Sequence, residues 1–109
     1  MSLSLILPVT GGTLAPYALR GEALCAAGQP AAGLPYLEAS LRAVAAASSA
    51  VAPGLARLRA VAGLCALPLG RRSDAQAWAR QARGAFVRQP GVSDWYRSPL
   101  RRLEAALAR

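Results

Sequence analysis

The 109-residue sequence predicts an all-α fold, two antiparallel helix hairpins followed by a C-terminal capping helix. Three observations point that way. Alanine fills 26 positions and leucine 17, both strong helix formers, while β-branched and aromatic side chains are few. Helix breakers fall at intervals along the chain: Gly28, Ser48-Ser49, Pro68 to Gly70, and the "QPGV" of residues 89–92. A helix–glycine–helix pattern also recurs at an offset of 42 residues, with Gly63 and Gly70 standing where Gly21 and Gly28 stand.

Residues 1–12 read as a flexible leader. Within it, "LPVTGG" resembles the sorting signal that sortases cut between Thr and Gly. That signal needs a spanning apolar segment behind it, and no run near the required 18 or more apolar residues follows. Pro8 and Gly11-Gly12 are therefore expected to act as breakers rather than as a processing site. The leader also lacks the positive n-region and the small-residue cleavage site of a secretory signal. The default expectation is a cytoplasmic protein with no membrane partner. Cys25 and Cys65, in apolar helical surroundings, agree with it as buried small hydrophobes rather than a disulfide framework.

The helical domain should then occupy residues 13–109. A first helix from Thr13 or Leu14 to Ala27 ends on Gly28, suited to the left-handed C-terminal position. A second runs from Pro30 to Ser48. The third starts at Pro53, which tolerates a first helical turn, and stops near Leu67 because Pro68 and Gly70 follow. The fourth starts at Ser73, where "SDAQ" reads as a capping box closed by Gln76, and runs to Val87 or Arg88. For the last helix, within residues 93–108, Ser98 is the expected N-cap and Pro99 the first helical residue. Leu100, Leu103 and Leu107 then share one face.

Across the 42-residue offset Tyr36 also meets Trp78, Ser40 meets Ala82 and Ala43 meets Ala85. Together with "LGRRSDAQAWARQA", in which Gly70, Ala75 and Ala82 stand at small positions, this pattern resembles the tetratricopeptide repeat family. Its longer-spaced form occurs in bacterial signalling and regulatory proteins. The resemblance covers residues 14–48 and 53–88 as two repeats, with residues 93–108 as cap. It implies an α-solenoid whose first helices line a concave face for a peptide or helix of a partner. Carried onto this chain, that face is Ala18, Leu19, Glu22, Arg57, Val61 and Leu64, flanked by Ala15, Cys25, Ala60 and Leu67. Close approach of the hairpin helices is expected at Gly63 and Ala75, with Tyr36, Trp78 and Phe86 filling the space between layers.

Catalytic chemistry has little to stand on. Without histidine the commonest base and metal ligand is missing, and Glu22, Glu38, Asp74, Asp94 and Glu104 are scattered. The chain is expected to be no enzyme and to hold no metal or cofactor. All 13 basic residues are arginine, giving net +8 and attraction to acidic partners. The main expectation is a protein-interaction scaffold, as a terminal part of a larger bacterial regulatory protein or alone. The alternatives are a nucleic-acid-binding domain, through a stripe of Arg80, Arg83, Arg88, Arg97, Arg101 and Arg102, or a purely structural oligomerising piece. Leu14, Leu19, Leu24, Leu34, Leu37 and Leu41 offer more apolar surface than a short chain readily hides, so a symmetric homodimer is expected.

Overall fold

The computed structural model describes residues 11–109, with side chains placed from Tyr17 onward. Among the described residues five α-helices follow one another: α1 (Gly11–Ala26), α2 (Pro30–Ala47), α3 (Pro53–Ala66), α4 (Arg72–Val87) and α5 (Asp94–Leu107). No strand occurs among the described residues. α1 pairs with α2 and α3 with α4 as hairpins, and α5 lies mainly against α3. Gly11 and Gly12 already belong to α1, so the helix starts two residues before the expected Thr13. The rest of the expected leader, including Pro8 and Thr10, lies outside the described residues.

Both hairpin turns are made the same way. Gly28 takes φ +82° and Gly70 φ +79°, the left-handed region that costs a residue with a Cβ. Gln29 N–H then donates to Leu24 O and Gly28 N–H to Cys25 O; Arg71 N–H to Ala66 O and Gly70 N–H to Leu67 O repeat that pair of bonds. These are the paired bonds of a Schellman end, which satisfy carbonyls the helix leaves orphaned. The 42-residue recurrence thus marks two equivalent turns. Ahead of Gly70 the chain tightens into one 3-10 turn, Leu67–Leu69, because Pro68 has no N–H to continue the α-helix.

Two expected helix starts are corrected. α4 begins at Arg72 with Arg71 as N-cap and no side-chain capping bond. The "SDAQ" box does not form; Asp74 instead accepts from Arg71 Nε at 2.8 Å. α5 begins at Asp94 behind Ser93, so Ser98 is no cap and Pro99 lies inside the helix. Pro99 is buried there, its ring filling core space next to Leu100. Packing outweighs the hydrogen bond that proline forgoes.

The core has two connected parts. Leu34, Leu37 and Leu41 of α2 meet Leu55, Leu58 and Val61 of α3, with Trp78 packed partly against them. Ala75, Ala79, Ala82 and Phe86 of α4 meet Ala56 and Ala60 of α3 and Leu100 and Leu103 of α5. α3 is shared by both, which explains why it is buried nearly all round. Leu34, Leu37 and Leu41 are 2%, 0% and 8% exposed, so the chain hides them itself and they supply no open face for a second copy. Leu19, at 67%, does face solvent.

The close approaches fall at different places in the two hairpins. In the first, a Cβ on Gly33 would lie 2.7 Å from Gly21 O and 2.7 Å from Cys25 Sγ, so α1 and α2 touch backbone to backbone. In the second, a Cβ on Gly63 would meet Leu103 of α5 at 2.5 Å. Gly63 therefore makes room for the fifth helix, whose Leu103 is its nearest neighbour. Phe86 fills the core as expected, whereas Tyr36 sits at the edge of α2, its ring 6.0 Å from Tyr17 with Arg20 5.5 Å above it.

Candidate partner-binding groove

α1, α3 and α5 bound a groove on one side of the molecule. Glu22 and Arg57 are 35 positions apart, yet Arg57 Nη1 and Nη2 donate to Glu22 Oε1 and Oε2 at 3.1 and 2.9 Å. This two-point geometry between a planar guanidinium and a carboxylate is the strong form of an ion pair. The guanidinium of Arg57 also lies 4.0 Å from the ring centre of Trp95 in the first turn of α5. One arginine thus links three helices, and only 16% of its side chain is exposed.

Beside this tie lies a cavity of about 140 Å³, lined by Glu22, Cys25, Ala26, Val61, Leu64, Cys65 and Arg102. Its wall includes a covalent bond. Cys25 and Cys65 form a disulfide, joining α1 to α3 with Cα atoms 5.5 Å apart. The expectation of two free, buried thiols is corrected. Cys65 is buried, but its helix lies alongside α1 in a register that brings the two sulfurs together. The thiol part of the case for a cytoplasmic protein falls with it, since stable disulfides belong to oxidising environments. No helix among the described residues is long and apolar enough to cross a membrane.

Of the six residues assigned to the concave face, Glu22, Val61 and Leu64 line this cavity, and Arg57 adjoins it through Glu22. Val61 is only 4% exposed and acts as floor rather than as a contact. Ala18 packs partly against the core, and Leu19 points to solvent, so neither lines the cavity. Sequence reasoning missed Trp95, Ala26 and Arg102. Trp95 fell within the expected cap of residues 93–108, but with Ser98 read as the N-cap nothing assigned it a contact; the helix that starts at Asp94 sets its ring against Arg57 of α3.

The proposed basic stripe is largely committed to holding the fold. Arg83 pairs with Glu104 and Arg101 with Asp94. Arg97 donates to Gln89 O at 2.6 Å, Val92 O at 3.2 Å and Phe86 O at 3.4 Å, closing the carbonyl end of α4, and Arg102 donates to Ser98 Oγ at 3.0 Å. Only Arg80 and Arg88 of the six have no such partner among the described residues. The hydrogen bond to Glu104 raises the pKa of Arg83, and that to Asp94 raises that of Arg101. No group of His, Cys, Asp and Glu among the described residues is arranged to hold a metal ion.

Compared with family models, with curated proteins and with solved structures, the chain matches none.

Proposed function

We propose that the chain is a non-catalytic interaction module of tetratricopeptide type that holds a peptide or helix of a partner protein in the groove bounded by α1, α3 and α5. The observation that carries this reading is the groove itself. Its floor is apolar, through Val61 and Leu64, and its walls are pinned by the Glu22–Arg57–Trp95 tie and the Cys25–Cys65 bond. Preorganised walls lower the entropic cost of seating a flexible ligand. A mostly apolar lining with Arg102 at its edge suits an amphipathic segment carrying an acidic residue. The similar turns at Gly28 and Gly70 support the repeat reading. Net +8 favours acidic partners in general, and with four of the six stripe arginines engaged within the fold, a protein ligand is the better reading than nucleic acid.

Site-specific photo-crosslinking in the source cell tests it. A photoreactive residue at Leu64 should yield a discrete set of protein adducts, whereas one at Gln76, exposed on α4, should not. Equal adducts at both positions, or adducts at Gln76 alone, would remove the groove as the binding site.

A further inference from the structure

On the opposite side of α3 from the groove lies a larger cavity, about 290 Å³, between α2, α3 and α4. Its walls carry Arg42 and Arg59, Trp78, Leu41, Gln81 and Glu38. A volume near 300 Å³ lies at the lower end of the range for small-molecule sites, and an apolar wall with a few converging polar groups is their usual composition.

The charge balance of this cavity is unusual for this chain. All five carboxylates are engaged: Glu22 with Arg57, Glu38 and Asp74 with Arg71, Asp94 with Arg101, and Glu104 with Arg83. Glu38 lines the cavity, but its Oε2 already accepts from Arg71 Nη2 at 2.7 Å. Arg42 and Arg59 have no hydrogen-bond or ion-pair partner among the described residues. Arg42 sits exposed at the mouth, where an unpaired cation is ordinary. Arg59 is half-buried, and burial pushes its guanidinium below its ordinary pKa with nothing offsetting that cost. A partly desolvated guanidinium without a carboxylate presents unfilled donors in a fork that matches an oxyanion. Trp78 in the same wall offers a flat apolar face.

We infer that the cavity between α2, α3 and α4 is a binding site for a small molecule that joins a flat ring to one oxyanion, a carboxylate or a phosphate, with Arg59 and Arg42 holding the oxyanion and Trp78 the ring. The site is separate from the groove and does not depend on it.

Titration followed by the nitrogen–proton resonances of the Trp78 indole and the Arg59 Nε decides it, with phenyl phosphate, benzoate and inorganic phosphate as probes. Phenyl phosphate and benzoate should shift both resonances and saturate, with a dissociation constant on the order of 1 mM or tighter. Whichever of the two binds more tightly names the oxyanion. Arg59→Gln should weaken both by about tenfold or more, as expected for losing a hydrogen bond to a charged group. Arg42→Gln, at an exposed position where substitution changes stability little, should weaken both less. Arg80→Gln, on α4 outside the cavity, should leave both unchanged. Absence of saturation at about 20 mM, twentyfold above that constant, would overturn the proposal. So would equal weakening by Arg80→Gln and Arg59→Gln, or inorganic phosphate binding as tightly as phenyl phosphate.

Discussion

Reducing the Cys25–Cys65 bond should cost this domain a large share of its stability. The two residues are 40 positions apart, so the bond closes a long loop in the unfolded chain. In the chain-entropy treatment, a loop of about 40 residues loses about 13 cal/mol/K on cross-linking, or about 4 kcal/mol at 25 °C. A domain near 100 residues has an unfolding entropy of about 0.2 kcal/mol/K at its midpoint, so ~4 kcal/mol corresponds to a Tm shift on the order of 15–20 °C. Small domains hold about 5–15 kcal/mol in all, so the reduced form should sit close to the margin. Thermal melts followed by circular dichroism at 222 nm, with and without a phosphine reductant, measure the shift on one sequence with no substitution. Reduced and oxidised melts agreeing within about 3 °C would refute the reasoning, since ~4 kcal/mol cannot hide in so small a change. Two reactive thiols in the unreduced, denatured protein would refute it more directly.

Three further outcomes follow from the packing and the ion pairs. Gly33→Ala places a methyl 2.7 Å from both Gly21 O and Cys25 Sγ, which backbone contact cannot relieve; a urea midpoint should register a loss of about 1–3 kcal/mol. Arg57→Gln removes the two-point bond to Glu22 and the contact with Trp95, and should cost about 1–2 kcal/mol in the same assay, part of it recovered by Glu22→Gln in the double variant. Asp94 is held below the ordinary carboxylate range chiefly by its hydrogen bond from Arg101. Its folded pKa lies below the unfolded one, so its contribution is full above the unfolded value, near 3.9, and fades as pH falls through the folded value. Carbon-13 titration should therefore place the Asp94 midpoint below about 3.9, and Arg101→Gln should move it up toward the ordinary value.

The helix count, the hairpin turns and the buried small positions were legible in the sequence because each depends on local chemistry. Gly28 and Gly70 suit the left-handed position that ends a helix, and Ala75 and Ala82, at small positions of the recurring pattern, are fully buried. The N-cap of α5 was not legible, although the residues 93–108 assigned to the closing helix contain it. Ser98-Pro99 satisfies the rule for a helix start, but the competing start at Ser93 is decided by distant partners, Arg57 beneath Trp95 and the burial of Pro99. The candidate groove was half legible for the same reason. Glu22, Val61 and Leu64 were placed by the resemblance to a repeat whose first helices line one face, whereas the disulfide and the Arg57 tie depend on the register of α1 against α3. Residues 40 and 35 positions apart carry no local mark of that register.

The complete engagement of the five carboxylates bears on how the protein meets other molecules. Thirteen arginines share five acids, and four arginines absorb all of them, leaving nine guanidiniums without a carboxylate. Arg20, Arg42, Arg80, Arg88 and Arg109 lie exposed on several different faces, so the far field is positive in most directions. Such a field accelerates diffusional encounter with any acidic surface but does little to orient it. Discrimination between partners then rests on how slowly the right one leaves. Under the proposed reading of the groove, association rates should fall steeply as salt shortens the Debye length from about 30 Å at 0.01 M to about 8 Å at 0.15 M, while dissociation from its apolar lining should change little.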